Sequence, residues 1–398
     1  MDLSHLNAAQ REAVEHLHGP LLVLAGAGTG KTTVITWRVA NMLAHGIRPD
    51  QILAVTFTNK AAREMKERLL KMLPEVDPRE LTVSTFHSFC CRVLRQHIHR
   101  LGRNRTFGIA DGGDSRDIVR EIYKERHLDR TGLKEGYFRA AISNAKNDLL
   151  APDDLREDDD PRQQALGDVY AAYQQRLDEM NLVDFDDLLR LVVKLWREHD
   201  GVLNGYRQRY AYLLVDEFQD TNRAQAELLR LLTGVQQNIC VVGDDDQSIY
   251  GWRGADISNI LEFPQDYQGT KVVTLENNYR STGAILAAAN DAIAKNAQRH
   301  EKQLRPAAHE GDRPIVLSLN TAEDEAESIS RALEVFHREH GIAYDEMAVL
   351  YRSNHLSRLF EHHFRRRRLP YRVVGSNEFF ERREIKDAVA YLRLIANQ

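Results

Sequence analysis

The stretch LLVLAGAGTGKTTVITWR, residues 21–38, decides the fold. It combines an apolar run of strand length, a glycine-rich turn and the beginning of an apolar helix. Small residues in such a turn let backbone amides face phosphate groups, and the N-terminus of the following helix adds partial positive charge. The stretch therefore predicts a phosphate-binding loop between a buried strand and a helix.

The residue types in this loop point to a nucleoside triphosphate. We expect Lys31 to reach the β and γ phosphates and the Thr32 hydroxyl to bind Mg²⁺. Ala25 occupies the first glycine position of the general pattern, and a plain glycine-rich turn would leave the Lys-Thr pair unexplained. The predicted nucleotide-binding residues of the loop are Ala25, Gly26, Ala27, Gly28, Thr29, Gly30, Lys31, Thr32 and Thr33.

Composition excludes several classes of protein. The chain has 398 residues, of which 42% are hydrophobic and 28% charged, and no apolar run is long enough to span a bilayer. Its net charge of -5 argues against a protein that coats nucleic acid by bulk charge. The start MDLSHLNAAQ lacks the regions of a signal peptide, and the three cysteines have no zinc-site spacing. We expect a cytoplasmic, nucleoid-associated protein with free thiols.

Short β-branched runs alternate with helix-length segments, which is typical of a parallel sheet covered on both faces. A gap of more than a hundred residues between the third and fourth runs predicts an inserted helical domain. A second α/β series follows residue 280, with runs at 315–319, at 347–351 and from 371, and it is too short to close a doubly wound domain. The first six runs are LLVLA (21–25), ILAVTF (52–57), LTVSTF (81–86), YLLVD (212–216), ICVVG (239–243) and KVVTL (271–275).

The stretch LLVDEFQD, residues 213–220, supplies acids that complement the phosphate loop. An apolar strand that ends in Asp216 and Glu217 can place the first carboxylate beside Mg²⁺ and the second near an attacking water. Glu217 is our candidate general base. Acids at a strand end can also be plain loop solvation, and the phosphate loop favours the catalytic interpretation.

Seven motifs occur in one order along the chain, and together they closely resemble superfamily 1 DNA helicases of the UvrD, PcrA and Rep type, with Rep nearest. This resemblance implies two RecA-like domains that clamp ATP and step along single-stranded DNA from three-prime to five-prime. The motifs are AGAGTGKT, AVTFTNKAAREM (54–65), TVSTFHSF (82–89), NLVDFDDLL (181–189), LLVDEFQDTN, VVGDDDQSIYGWRGA and LENNYRST (275–282).

The resemblance also implies the domain limits. The predicted fold is an α/β P-loop, RecA-like parallel sheet with an inserted helical domain and an incomplete second RecA-like domain. The predicted limits are 1–108 with 190–278 for the first RecA-like domain, 109–189 for the inserted domain, 279–376 for the first part of the second RecA-like domain, and 377–398 for the start of its own insertion.

By resemblance, further residues contact ATP. Gln10, with Asn7, matches an adenine-recognition motif, although the pair also fits a helix capping box. Arg38 and Arg280 would approach the γ phosphate, Arg280 as an arginine finger that stabilises the transition state. Tyr279 would stack on adenine, with an ordinary core tyrosine as the alternative. Gln247 would sense the γ phosphate and completes the catalytic set of Lys31, Glu217, Gln247 and Arg280.

The resemblance implies a DNA-binding set as well. Stacking on aromatic faces suits a translocase because every base has a π-face. Core packing is the alternative for each single aromatic side chain, and we favour it for Phe86 and Phe89. The DNA-binding candidates are Phe57, Asn59, Thr85, His87, Tyr250, Trp252, Arg253, Arg352 and Asn354.

Other charged runs are assigned to surfaces and supports. The acids Asp244, Asp245 and Asp246 are expected to support their loop rather than hold a metal. The run HHFRRRRLP, residues 362–370, fits a solvated helix end better than a DNA groove, because four consecutive arginines spread around a helix.

Two later motifs of the family are absent from the sequence, which predicts an N-terminal fragment that binds ATP and DNA more readily than it unwinds duplexes. The expected cofactors are ATP and Mg²⁺. The expected partners are single-stranded DNA, its junctions with duplex DNA, and other replication or repair proteins, with no membrane. The alternatives are a shortened nucleotide- and DNA-binding regulatory module and the helicase part of a helicase-nuclease.

Overall fold

The computed structural model describes residues 1–77, 79–374 and 387–392, without the side chain of Thr131. The chain forms two compact units, Met1–Arg313 and Pro314–Gln398. Within the described residues, no helix combines the length and the apolar character needed to cross a membrane.

The first unit is built on a parallel sheet of six strands. Its order is β3-β2-β6-β7-β1-β8, so the strand before the phosphate loop lies between two others, and all six predicted strands are confirmed. Two short parallel pairs, β4 with β5 and β9 with β10, lie outside it. The strands are β1 (Leu21–Ala25), β2 (Ile52–Thr56), β3 (Thr82–Thr85), β4 (Gly108–Ala110), β5 (Leu182–Asp184), β6 (Tyr212–Val215), β7 (Ile239–Gly243), β8 (Lys271–Leu275), β9 (Asn277–Asn278) and β10 (Arg305–Pro306).

Helices cover both faces of this sheet and form the insertion. The helices of the first unit are α1 (Ala8–Glu15), α2 (Lys31–Ala44), α3 (Asn59–Met72), α4 (Phe86–His97), α5 (Gly112–Glu125), α6 (Glu135–Asn147), α7 (Pro152–Arg156), α8 (Pro161–Glu179), α9 (Phe185–Glu198), α10 (Asp200–Arg209), α11 (Arg223–Thr233), α12 (Ser258–Leu261), α13 (Phe263–Asp266) and α14 (Gly283–Ile293). The second unit contains α15 (Ala322–His340) and α16 (Ser357–Arg367), and its described residues 387–392 are also helical.

Alternation along the strands creates two cores. In β1, Leu22 and Leu24 belong to the core beneath α4, α9 and α11, whereas Leu21 and Val23 belong to the core beneath α1, α2 and α3. Successive side chains of a strand point to opposite faces, so a strand covered on both sides is apolar throughout. The buried Phe86 and Phe89 confirm their predicted core positions.

The insertion has a hydrophobic core of its own, formed by α5, α6, α7 and α8 with Ala110 of β4 and Leu182 of β5. Its last strand runs directly into α9, whose apolar face packs in the sheet core, so one continuous segment joins the insertion to the sheet. The predicted helical insertion is thus present, and its exact limits stay predictions.

The second unit corrects three strand predictions. Residues 315–319, 347–351 and 371–374 carry no strand, and Gly375 lies outside the described residues. Ile315, Val316 and Leu350 are exposed, so these apolar runs gain nothing from burial, and a strand requires a hydrogen-bonded neighbour. The unit is instead held by α15 against α16. The region predicted as 377–398 is described only at 387–392, which are helical.

Candidate nucleotide and nucleic-acid site

The phosphate loop joins β1 to α2 as the sequence predicts. Gly28 and Gly30 have φ angles of 71° and 96°, a backbone conformation that residues with a Cβ rarely adopt. Gly30 is the N-cap of α2. The buried Thr29 donates its hydroxyl to the Gly26 carbonyl at 2.8 Å, which closes the turn.

A salt bridge joins the phosphate loop to the acidic strand end. Lys31 Nζ lies 2.6 Å from Glu217 Oε2, and Gln219 Nε2 donates to the same oxygen at 2.9 Å. Glu217 has a φ angle of +51°, which is uncommon for a residue with a Cβ and clusters at functional sites. The predicted general base and the predicted phosphate lysine are therefore direct neighbours.

Burial perturbs two acids of this strand end. Burial, followed by the nearby Glu217 charge, raises the pKa of Asp216 to about 6. The same two causes raise the pKa of Asp220 to about 6. A divalent cation beside Asp216 would favour its ionised form, because a cation nearby reverses the effect of burial on a carboxyl group.

The oxygen ligands proposed for Mg²⁺ suit that ion chemically. Asp216 follows β6, and Thr32 lies in the first turn of α2. Mg²⁺ at triphosphate sites takes one or two protein oxygens and keeps phosphates and waters as its other ligands. The described residues contain no cluster of three His, Cys, Asp or Glu side chains that could hold a metal ion.

The capping box predicted for α1 is confirmed. Gln10 N donates to Asn7 Oδ1 at 2.9 Å, and Asn7 N donates to Gln10 Oε1 at 3.2 Å. Each side chain also has a second contact, because Gln10 Nε2 donates to the Thr29 carbonyl at 2.9 Å and Asn7 Nδ2 to Tyr279 Oη at 2.9 Å. The Gln10 amide thus serves the cap and the phosphate loop together, while adenine recognition stays a prediction.

Tyr279 and Arg280 lie beside the phosphate loop through their backbone. Tyr279 N donates to the Gly28 carbonyl at 2.9 Å, and the Tyr279 side chain is 55% exposed, which excludes the core alternative. A Cβ on Gly28 would lie 2.6 Å from Arg280 Cβ, so only glycine fits there. Asn278, which the sequence analysis missed, donates to the Ala27 carbonyl at 2.5 Å. The finger role of the exposed Arg280 stays a prediction.

Arg38 requires a correction. Its side chain is buried and donates to the carbonyl oxygens of Ala13, at 2.8 Å, and of His16 and Leu17 near the end of α1. The guanidinium therefore holds the C-terminal end of α1 against α2 and is committed there. This placement contradicts the predicted approach to the γ phosphate. The prediction failed because the sequence does not reveal which face of α2 carries the Arg38 side chain.

The acids of the GDDDQ stretch support their loop, as predicted. The buried side chain of Lys302 contacts all three carboxylates of Asp244, Asp245 and Asp246. Gln247 Nε2 contacts Asp244 Oδ2 in the same loop. Its sensing of the γ phosphate stays a prediction.

Five of the predicted DNA-binding residues line a cavity of about 610 Å³ between the sheet and the insertion, and they are Phe57, His87, Tyr250, Trp252 and Arg253. The rings of Phe57 and Tyr250 are stacked, with centroids 6.3 Å apart and planes 14° apart. Trp252 is 70% exposed, which excludes a core role, and the Arg253 guanidinium lies 4.7 Å from its ring centroid. His87 makes an edge contact with Phe185, at 5.9 Å between centroids, and burial lowers the pKa of His87.

Phe185 is a cavity residue that the sequence analysis did not single out. It is 53% exposed although it begins α9, whose following apolar residues are buried. An exposed aromatic residue at the start of a buried helix could have been the signal.

The remaining DNA candidates have different surroundings. Thr85 caps α4, because its Oγ1 accepts from Ser88 N at 3.2 Å, and it lies 3.4 Å from Asn59 Oδ1. Arg352 and Asn354 are exposed and belong to the second unit. The structure thus brings seven of the nine candidates together within the first unit, at or near the carboxyl ends of β2, β3 and β7.

A phosphate loop and an acidic strand end on one parallel sheet define a P-loop nucleotide-binding protein with a RecA-like core. Residues 6–268 match the family model for the UvrD/REP helicase N-terminal domain, and residues 273–398 match the model for the UvrD-like helicase C-terminal domain. The chain belongs to the UvrD/REP helicase family, which confirms the resemblance.

The chain is similar to the ATP-dependent DNA helicase PcrA of Staphylococcus aureus (strain Mu50) and of Staphylococcus epidermidis (strain RP62A). It is 44% identical to each over 397 residues, which cover 99% of this chain and 54% of each relative. The chain thus spans about half the length of these relatives. The matches do not support the prediction of a fragment, and the closeness to Rep stays a prediction.

Proposed function

We propose that this chain binds ATP with Mg²⁺ and single-stranded DNA, and that it belongs to a motor that translocates from three-prime to five-prime and unwinds duplex DNA. One observation carries the proposal: the Lys31–Glu217 pair at 2.6 Å and the aromatic cavity both lie where strands of the same sheet end. The ligand-binding edge of a parallel sheet is the edge where its strands end. ATP and single-stranded DNA would then bind at the same edge of one sheet.

The contacts support the following proposed roles. When the triphosphate binds, its phosphate oxygens would replace the Glu217 carboxylate as the partner of Lys31, because both groups are anionic. Glu217 would then be free to orient the attacking water and accept its proton, and Asp216 and Thr32 would hold Mg²⁺, which would supply positive charge at the phosphates. Arg280, whose backbone adjoins the phosphate loop, supplies positive charge as charge develops on the transferred phosphoryl group.

DNA binding is proposed to depend on stacking. The exposed Trp252 and the stacked pair of Phe57 with Tyr250 offer π-faces without hydrogen-bond readout, which suits a motor that must pass every base. Arg253 and His87 would contact the strand from the same cavity. Asn59 and Thr85, which lie 3.4 Å apart, are further candidates in the first unit, and Arg352 and Asn354 are candidates in the second. A DNA substrate fits a nucleoid-associated location in the cytoplasm, and partners would be replication or repair proteins and DNA junctions.

An ATPase assay with and without an oligo(dT) strand tests the proposal. We expect turnover to rise when DNA is added. Lys31→Ala should abolish tight Mg·ATP binding because the loop loses its cation. Glu217→Gln should keep nucleotide binding but reduce turnover by at least about a hundredfold, the scale expected for a group that activates the nucleophile. Lys194→Met, at an exposed site on α9, is the control.

The outcomes separate the alternatives. Nucleotide and DNA binding without turnover would favour the regulatory binding module over the motor. Unchanged nucleotide affinity in Lys31→Ala would contradict the site itself. Displacement of streptavidin from one or the other end of a biotinylated strand would test the three-prime to five-prime direction.

A further inference from the structure

The acid triplet, Asp244 to Asp246, is fixed by a short basic segment that no motif of the sequence analysis includes. Lys302 Nζ lies 3.1 Å from Asp244 Oδ1 and 2.9 Å from Asp246 Oδ2, and it also contacts Asp245 Oδ1. The Lys302 side chain is only 2% exposed. An ammonium group is buried this far only where anionic partners replace its hydration, so Lys302 and the triplet depend on each other.

Two neighbours of Lys302 restrict the geometry further. Arg299 donates through Nε and Nη2 to the two oxygens of Asp246, both at 2.7 Å, and a two-point contact of this kind fixes orientation as well as distance. The backbone N of His300 donates to Asp245 Oδ2 at 2.6 Å. We call residues 299–302 the basic clasp.

The basic clasp is continuous with a segment that contacts the phosphate loop. Leu304 packs so closely on Gly26 that a Cβ there would lie 2.3 Å from Leu304 Cδ2. The next two residues form β10, which pairs with β9, and Asn278 of β9 donates to the Ala27 carbonyl. Residues 299–306 therefore contact the nucleotide loop on one side and the acid triplet on the other.

On its other side, the acid triplet connects to both proposed ligand sites. Asp244 N donates to Gln219 Oε1 at 2.9 Å, and the Gln219 amide group donates to Glu217 at 2.9 Å. Gln247 contacts Asp244, and Tyr250 of the aromatic cavity follows three residues later. A displacement of the triplet would therefore change the position of the general base and of the stacking residues together.

We propose that Lys302 and Arg299 are positioning residues that transmit the state of the nucleotide site, through the acid triplet, to the stacking residues of the aromatic cavity. This inference rests on the proposed function. Its physical basis is that a close-packed interior transmits the displacement of one group to its neighbours, whereas an exposed ion pair holds its partner only weakly. Both side chains are paired with the acid triplet, so the proposed effect of each is on the coupling between the two sites.

Thermodynamic linkage between the two ligands is the direct test. The dissociation constant of an oligo(dT) strand is measured by fluorescence anisotropy on the 398-residue chain, with and without saturating Mg²⁺ and a non-hydrolysable ATP analogue. The ratio of the two constants measures the coupling, and reciprocity requires the same factor for the analogue with and without DNA. We expect the parent ratio to differ from one by about fivefold or more.

Lys302→Met and Arg299→Gln should each bring this ratio to within about twofold of one. Lys302→Arg, which keeps the charge, should retain most of the parent ratio, and Lys194→Met is the exposed control. Lys302→Met leaves the buried Asp244 and Asp245 without their ammonium partner. The double variant Asp245→Asn/Lys302→Met, which removes one charge of each sign, therefore provides a better folded test and should also lose coupling.

Two results would overturn the inference. One is a parent ratio retained in both Lys302→Met and Arg299→Gln. The other is a parent that binds each ligand yet shows no coupling. A parent that fails to bind the analogue or the oligonucleotide at all would instead contradict the proposed function, so the two failures are distinct.

Discussion

At the scale of single residues, the surroundings of Asp220 disfavour its ionised form. Its side chain is buried, and within the described part of the chain its Oδ1 has no hydrogen-bond partner. Burial, with the nearby Glu217 charge, raises the pKa of Asp220 to about 6, above the ordinary value of 3.8. The ionised form of Asp220 therefore destabilises the folded state at neutral pH.

Asp220→Asn should increase the free energy of unfolding in a pH-dependent manner. Between about pH 4 and pH 6 the folded state binds the Asp220 proton more tightly than the unfolded state, so the parent loses stability as pH rises through this window. The advantage of the variant should be near zero at pH 4 and reach about 1 to 3 kcal/mol above pH 7. Urea unfolding of both proteins at pH 4 and pH 8 measures this difference, and an equal advantage at both values would show that charge is not the cause.

At the scale of elements, a buried cluster fixes the insertion to α9. Lys146 of α6 is fully buried, and its Nζ lies 2.6 Å from Asp184 Oδ2 and 3.0 Å from Asp187 Oδ2. Tyr173 of α8 donates to Asp184 at 2.9 Å, and Arg190 pairs with Asp187 at 3.0 Å. These contacts join two helices of the insertion to the turn between β5 and α9, which carries the cavity residue Phe185.

Lys146→Met should destabilise this junction strongly. Removing one partner leaves two buried carboxylates with less positive charge, and breaking a buried pair in this way costs about 3 to 5 kcal/mol. Lys194 lies on α9, the helix that carries Asp187, and forms an exposed pair with Glu198. Lys194→Met should therefore cost less than about 1 kcal/mol. Denaturant unfolding of the two variants gives the comparison, and similar costs for both would refute the structural importance of the cluster.

The elements also show how far sequence alone can predict this molecule. The six strands of the sheet were predictable because burial on both faces makes them continuously apolar, and the α1 cap because Asn7 and Gln10 are close in sequence. The surroundings of Arg38, Lys146 and Lys302 were not, since each contacts residues far along the chain. Apolar composition predicted strands at 315–319 and 347–351, where the described residues supply no neighbouring strand.

At the scale of the whole molecule, the aromatic cavity joins three parts of the first unit. The end of β2 is followed by Phe57, the insertion contributes Ser143 and Asn147, and the loop after β7 contributes Trp252. Asn147 Oδ1 accepts a hydrogen bond from the Asn222 amide at 2.8 Å, which fixes the insertion beside the N-cap of α11. The stacking surface is therefore a product of domain assembly, and its contribution to DNA binding can be isolated from that of charge.

Trp252→Ala should weaken single-strand binding by about 1 to 3 kcal/mol for unrelated sequences alike, because every base stacks. Stacking releases no counterions, so the slope of log Kd against log salt should stay unchanged, whereas Arg253→Gln should reduce that slope by about 0.7 if its guanidinium neutralises one phosphate. Phe336→Ala, at an exposed aromatic residue of α15, is the control. Anisotropy titrations from 50 to 300 mM salt, roughly the range over which phosphate contacts weaken, separate the two effects. A Trp252→Ala variant with parent affinity would remove stacking from the binding mechanism, and a loss confined to one base would indicate sequence readout instead.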